Sequence, residues 1–274
     1  MPKVSVIVPI YNVGKYVGKC LQNLVNQTLK DIEIICVDDC STDNSMKIVE
    51  HYASQDLRIK IVRHAFNKGL AASRNTGLKE VSSDYIMFCD SDDFCSITMC
   101  DKMYNALINS NCEMAICGTN VIYSYGYDYK KSDKEYFALN YSGINKVSDK
   151  MTLKTNVVSW NKIYKKEIIQ KYGISFPDGL LFEDAYFFFC YTRFCKNIYF
   201  LNEELYNYLR RKNSIMSNLL YSKDLAVDHL FIAEKIYDFW VSKNIFNDNK
   251  DIFFEIFERF LIRLYITLIK NKEI

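Results

Sequence analysis

Apolar runs and helical periodicities take turns along the first 120 residues. Short apolar-rich stretches at 4–9, 32–37, 59–62, 85–89 and 114–117 predict five buried strands. After the first, Val13, Val17, Cys20, Leu21, Leu24 and Val25 recur at the spacing of one helix face. Ser41, Thr42 and Asp43 offer N-caps for a second helix through Ile48 and Val49. Residues 69–81 predict a third helix, and Ser96 caps a fourth that runs to Ser110. Strands alternating with helices imply βαβ units, right-handed crossovers and a mainly parallel sheet, an α/β fold. Polar or acidic turns follow the first, second and fourth strands, on the carboxyl edge where such sheets bind ligands.

The pattern weakens over 120–158, a Tyr-rich stretch with Lys130-Lys131-Ser132-Asp133-Lys134-Glu135 that predicts a surface excursion. Beyond it, 163–172 predicts a helix stopped by Gly173, 183–195 another helix, and 198–201 an edge strand. From Lys223 onward the chain predicts helix only. There Phe253, Phe257, Phe260, Leu261, Leu264 and Leu268 form an apolar stripe, with Arg259, Arg263 and Lys270 on another face. This stripe suits packing on the main domain or a homodimer, and alternatively peripheral contact with an anionic membrane.

Composition narrows the class. At 274 residues and 49% hydrophobic, the chain holds one large α/β domain with a helical appendage. A net charge of +2 carries no nucleic-acid footprint. The ten cysteines are scattered and several fall in apolar runs, and three histidines make a zinc site improbable. Met1-Pro2-Lys3 leads straight into the first strand, and no apolar run is long enough to span a bilayer. A reduced, cytoplasmic compartment is expected, with the inner face of the cytoplasmic membrane as its variant.

The most informative polar stretch is Asp90-Ser91-Asp92-Asp93, just past the fourth strand. Crowded carboxylates repel unless something positive lies between them. Oxygen-only ligands favour Mg²⁺ or Mn²⁺, which are commonly shared with substrate phosphates. A capped acidic turn is the plainer reading of these four residues alone. No G-x-G-x-x-G follows the first strand, which excludes the usual dinucleotide fingerprint.

Other blocks accompany the quartet. Residues 5–12 (SVIVPIYN), 37–43 (VDDCSTD) and 67–77 (NKGLAASRNTG), then Asp90-Ser91-Asp92-Asp93 and Phe182-Glu183-Asp184, occur in order. Together this series resembles family-2 glycosyltransferases of the GT-A fold, in the style of bacterial capsule, lipooligosaccharide or O-antigen enzymes. The resemblance reaches to about residue 215. It implies a GT-A domain over 1–220, with a nucleotide-sugar half at 1–118 and an acceptor half at 119–220, and a helical extension over 221–274.

The resemblance also implies roles. Pro9, Tyr11, Asn12, Asp39, Lys68, Arg74 and Asp90 would serve the nucleotide, with Tyr11 offering an aromatic face and Asp39 accepting a pyrimidine N–H. Asp38 is read as a loop fastener. Arg74 would orient the donor site or its carboxylates, or else form an ion pair with Asp90. Asp92 is the first choice for Mn²⁺ or Mg²⁺; Asp93 is either a second ligand or the start of a helix. Asp184 would be the general base and Glu183 would position acceptor or loop. Trp160, in Trp160-Asn161-Lys162, either stacks on a sugar or packs the core. Arg210 and Arg211, in the 208–215 segment, would cover a diphosphate. The implied function is inverting, metal-dependent transfer of a hexose or N-acetylhexosamine from a UDP-sugar to a glycan or lipid-linked glycan. A non-catalytic nucleotide-sugar-binding or scaffolding subunit is the alternative.

Overall fold

Strand β1 (Val4–Ile10) is buried along its whole length, and its alternate residues serve two different cores. Val4, Val6, Val8 and Ile10 belong to one core and Ile7 to the other, the period-two division a central strand requires. The structure, a computed structural model, describes residues 1–125, 128–131, 140–211 and 223–270.

Beside β1 run β2 (Ile32–Asp38) and β4 (Tyr85–Phe88), and β3 (Ile59–Arg63) pairs β2; all of these pairings are parallel. The crossover helices are α1 (Val17–Val25), α2 (Ser45–Gln55) and α3 (Leu70–Glu80). Val17, Leu21 and Leu24 of α1, Val49 of α2 and Met103 of α4 (Met99–Ser110) pack with Val4, Val6 and Val8. Ala71 of α3 packs on the opposite face with Ile7, Ile35 and Phe88.

Beyond β4 the sheet is mixed. Its order is β3-β2-β1-β4-β9-β6-β10-β5, where β9 (Lys162–Lys165) lies antiparallel to both β4 and β6 (Met114–Tyr125). Strand β10 (Asn197–Arg210) is parallel to β6 and antiparallel to the short β5 (Phe94–Cys95). Strand β7 (Asp128–Lys131) pairs β6, and β8 (Gly143–Lys146) pairs β10. The expected parallel pairing therefore runs through β3, β2, β1 and β4, is interrupted by the antiparallel β9, and resumes between β6 and β10.

Three expectations change. Residues 163–165, expected as helix, complete β9, because the slot between β4 and β6 buries Ile163 and Tyr164; the helix α6 (Lys166–Tyr172) starts afterwards and Gly173 stops it at φ +65°. The expected edge strand at 198–201 is the start of β10, an inner strand, with register shifts around Glu204. The expected surface excursion holds the β6–β7 hairpin, β8 and the short helix α5 (Asp149–Lys154), capped by Ser148. Of the charged stretch there, 132–135 lies outside the described residues.

Helix α7 (Glu183–Thr192) is covered by α8 (Lys223–Ser242) and α9 (Lys250–Lys270). Ile232, Ile236 and Trp240 of α8 and Ile252, Ile256 and Phe260 of α9 share one core with Phe187 and Phe188. The apolar stripe of α9 is buried at Phe253 and Phe260, whereas Leu261 and Leu268 are exposed beside Ile262, Tyr265 and Ile266. All ten cysteines are free thiols. Among the described residues no helix is long and apolar enough to cross a membrane.

Candidate active site

The loops after β1, β2 and β3 are fastened to one another by short polar side chains. Asn12 Oδ1 accepts the Thr42 N–H (2.8 Å), and Asp38 Oδ1 accepts the Ser41 N–H (2.9 Å), as a loop-fastening carboxylate should. Asp39 is buried. Its Oδ1 meets His64 Nδ1 (2.7 Å) and accepts the Lys68 N–H (2.7 Å), while Oδ2 accepts the Gly69 N–H (2.8 Å). Gly69 stands at φ +92°, which glycine adopts without the cost a side chain would bring, and α3 begins right after it. His64 Nε2 also meets the Thr76 hydroxyl at 2.8 Å, so one imidazole ties Asp39 to α3.

These contacts divide the expected nucleotide residues. Tyr11, 49% exposed, and Lys68 face solvent. Pro9 does not end β1: it is buried within the strand, in register with Val37. Asn12 gives its side-chain oxygen to the loop after β2.

Helix α3 carries Arg74 to the centre of the site. A Cβ at Gly77 would run into Ile7 Cγ2, so this glycine is what lets α3 settle onto β1. Arg74 is only 1% exposed. Its Nη1 donates to Glu183 Oε1 (2.6 Å) and Asp184 Oδ1 (2.9 Å), and Nη2 donates to Asp90 Oδ1 (2.9 Å). One buried guanidinium thus gathers carboxylates from two segments nearly a hundred residues apart. Direct nucleotide contact by Arg74 is corrected by this burial: it orients the carboxylates, and its pairing with Asp90 is one arm of that fork. Burial disfavours its charge, but Asp184, Asp90 and Glu183 together hold it firmly protonated.

The base candidate is presented by a strained turn. Phe182 takes φ +65°, an unfavourable value for a bulky residue, and its ring lies 3.6 Å from that of His229. Glu183 and Asp184 then open α7, where the helix dipole favours anions. Asp184 Oδ2 accepts the Ser159 N–H at 3.3 Å, and 18% of its side chain stays exposed. Burial pushes the Asp184 carboxyl up from the ordinary range against the opposing pull of Arg74. Burial together with the charge of Asp184 pushes Glu183 up to about 7. Both carboxyls are thereby shifted toward the range in which a general base works near neutral pH.

The quartet resolves into separate functions. Asp90 is held by Arg74 with 23% of its side chain exposed. Asp92, 24% exposed, meets Arg211 at 2.8 Å through both Nε and Nη2. Burial and the charge of Asp90 raise its carboxyl, and Arg211 opposes them. Asp93 is buried: Oδ1 accepts the Leu209 N–H (2.7 Å) and Oδ2 the Tyr206 hydroxyl (2.9 Å). Both of its oxygens are engaged by β10, so Asp93 is a structural clamp, and neither a second metal ligand nor a helix start. Asp92, about as exposed as Asp90, keeps its side chain within reach of solvent, and its pairing with a cation, here Arg211, fits a hard divalent ion.

Trp160 is 3% exposed and lies between aromatic partners, stacked on Tyr206 (4.3 Å between centroids) and Tyr208 (5.6 Å). Sugar stacking by Trp160 is therefore corrected to core packing. Arg210 is exposed at the end of β10; Lys212 to Ile215 of the same motif lie outside the described residues.

Tyr206 and His64 carry connections that the motif spacing did not single out, whereas Lys162 belongs to the Trp160-Asn161-Lys162 segment already noted. Tyr206 accepts the Asp90 N–H (3.1 Å) as well as donating to Asp93. Nothing in the sequence marks it, since the strand expected there ends at residue 201, and no local signal pairs it with residues over a hundred positions earlier.

The family model described as "Glycosyl transferase family 2" matches residues 5–173. The glycosyltransferase GlyA of Streptococcus pneumoniae is 32% identical over 227 residues, 78% of this chain and 31% of its own length. The cholesterol galactosyltransferase of Borreliella burgdorferi is 31% identical over 271 residues, 94% of this chain and 73% of that protein. The chain thus spans less than a third of GlyA but most of the galactosyltransferase. Among solved structures, Staphylococcus aureus TarS 1-349 in complex with UDP-GlcNAc superposes with a TM-score of 0.71 at 22% identity, covering 96% of this chain and 81% of that one. The ordered motifs, the mixed sheet with its carboxyl-edge carboxylates and these likenesses agree: the chain belongs to glycosyl transferase family 2, with the GT-A fold.

Proposed function

We propose that this chain transfers a hexose or N-acetylhexosamine from a UDP-sugar to a hydroxyl of a growing bacterial surface glycan, inverting the anomeric centre. The observation that carries the reading is the Arg74 fork, which brings Asp90 of the donor half and Asp184 of the acceptor half into one cluster. TarS, which shares the fold, binds UDP-GlcNAc.

On this reading Tyr11 and Lys68 flank the nucleotide. Asp39 Oδ2, with one backbone donor, accepts the pyrimidine N–H. Asp90 faces the ribose. Asp92 holds Mn²⁺ or Mg²⁺, which when bound supplies Lewis-acid neutralisation of the diphosphate. Arg210 and Arg211 close over that diphosphate, Arg211 exchanging Asp92 for it. Asp184 takes the proton of the acceptor hydroxyl as its oxygen bonds the anomeric carbon. The bond from that carbon to the diphosphate oxygen breaks, and UDP leaves with the electron pair. Direct displacement turns an α-linked donor into a β-linkage. Glu183 positions Asp184 and the acceptor loop. The division into a nucleotide half (1–118), an acceptor half (119–220) and a helical extension (221–274) belongs to the same reading. So does work at the inner face of the cytoplasmic membrane, with the exposed face of α9 against lipid or a second copy; co-flotation with anionic vesicles and the solution mass separate those two.

A panel of nucleotide sugars read out by nucleotide release, with and without Mn²⁺, tests the donor. UDP-sugars should be preferred; a preference for CDP- or GDP-sugars overturns the role of Asp39. Asp92→Asn should abolish transfer and metal-dependent donor binding. Asp184→Asn should spare UDP binding and remove turnover, and wild-type turnover in that variant sinks the base assignment.

A further inference from the structure

Lys162 lies in β9 with no exposed surface, a costly place for an ammonium group unless its hydrogen bonds and charge are answered. Its Nζ donates to the Val158 carbonyl (2.6 Å) and to Asn161 Oδ1 (2.7 Å), and lies 5.4 Å from the Phe188 ring centre. Asn161 is itself anchored. Its Nδ2 donates to the Cys117 carbonyl (2.8 Å), and its own carbonyl accepts the Cys117 N–H (3.0 Å). The 158–161 turn is thereby pinned between β6 and the lysine. That turn presents the Ser159 N–H to Asp184 Oδ2.

We infer that Lys162 is a positioning residue for the base: its hydrogen bonds hold the 158–161 turn against Asp184, and its cation, a second one after Arg74, steadies the ionised carboxylate. The inference rests on the reading of Asp184 as the base. The charged and titratable groups around Asp184 are Arg74 from α3, Asp90 after β4, Glu183 on its own helix, and Lys162 and Tyr164 from β9. The charges that act on Lys162 are those of Asp184 and the Cys117 thiol of β6. Burial draws its ammonium down to about 7, while Asp184 and Cys117 pull it upward. The cation is therefore present below about 7, on the acid side of the profile. Removing it raises the pKa of Asp184 and moves the acid limb of turnover to higher pH.

The test is the pH dependence of kcat for UDP release by the full chain, with the UDP-sugar that supports turnover. Calorimetric UDP binding and the melting temperature are measured alongside. In Lys162→Met, kcat should fall tenfold or more, roughly, as expected when a general base is misplaced. Its acid limb should move up by about one pH unit, with UDP affinity and donor KM within roughly twofold of wild type, since those contacts lie elsewhere. Lys162→Arg, which keeps the charge, should return the acid limb to its wild-type position. Should Lys162→Met not fold, Lys162→Gln gives the same reading while keeping a donor for the Val158 carbonyl. An unmoved acid limb in a folded neutral variant overturns the inference. Failure of both neutral variants to fold also overturns it, in favour of a purely structural lysine. Full turnover in Asp184→Asn instead defeats the base reading, so the two failures are told apart.

Discussion

Arg74 shows how much of the site one side chain decides. Its guanidinium is planar and forked, so it can hold Asp90 on one arm while Glu183 and Asp184 share the other. Lysine offers a point charge in place of that geometry. Arg74→Lys should keep the fold and lose at least about tenfold in kcat, a rough figure for disturbed orientation of a base. Arg74→Met should cost about 3–5 kcal/mol of stability, because it leaves buried carboxylates without a countercharge. Thermal melting and nucleotide-release kinetics of the two variants check this pair of outcomes. At this scale the acidic motifs were legible: repulsion among crowded carboxylates demands a cation, whatever the fold. Their partners were less so. The pairing of Arg74 with Asp90 spans sixteen residues, whereas its bonds to Glu183 and Asp184 span over a hundred and follow from helix packing at Gly77.

Elements were legible in proportion to how local their determinants are. The strands β1 to β4 and the helices between them follow their periodicity to within a few residues, since each buries one recurrent face. The sequence predicts only the first four residues of the long β10, because Asn202-Glu203-Glu204 interrupts its alternation; the register shifts there absorb the interruption and let Tyr206 to Arg210 continue. Strand β9 was hidden by Ile163 and Tyr164, which suit a buried helix as well as a strand, until the gap between β4 and β6 settled the matter. A polar device joins the amino ends of β1, β2 and β3 to the turn before β4. Glu33 of β2 accepts from the Ser82 N–H (2.7 Å), the hydroxyls of Ser82 and Ser5, and the ammonium of Lys60 on β3. Burial raises its carboxyl, but the bonds from Lys60, Ser5 and Ser82 outweigh it and bring the group down from 4.5 to about 2. A depressed carboxylate stabilises the fold above its unfolded pKa and loses that contribution as pH falls through the folded one. Acid unfolding should therefore steepen between 4.5 and about 2. In Glu33→Gln that steepening should shrink, with a loss of about 1–3 kcal/mol at neutral pH. Chemical denaturation across that pH range measures both.

At the scale of the whole molecule, α8 and α9 share the core of α7, and Asp228 of α8 accepts the Leu181 N–H (2.9 Å) two residues before Glu183. His229 supports the strained Phe182. Removing residues 223–274 should expose Phe187 and Phe188, lower the melting temperature sharply and favour aggregation; a truncated chain that melts like the full one refutes this coupling. The same helices show where sequence reading ends. Periodicity alone determined that they are helices with an apolar stripe, because spacing along one helix depends on that helix. Which part of the stripe is core, Phe253 and Phe260, and which is exposed, Leu261 and Leu268, depends on the helix beside it: Phe253 meets Tyr237 and Trp240 of α8, and Phe260 meets His229. The division holds throughout the protein. The sequence by itself determined the chemistry: the ordered acidic, Arg-bearing and glycine-containing blocks, and the strand–helix alternation that sets their loops on one sheet edge. Only the tertiary structure decided the separate roles of neighbouring carboxylates. Asp92 stays partly exposed beside Arg211 while Asp93 is engaged by Tyr206 and Leu209, and Asp184 is drawn to Arg74 beside the Ser159 N–H. Residue type fixes what a carboxylate can do; burial and long-range partners, which no local pattern encodes, select which of those things it does.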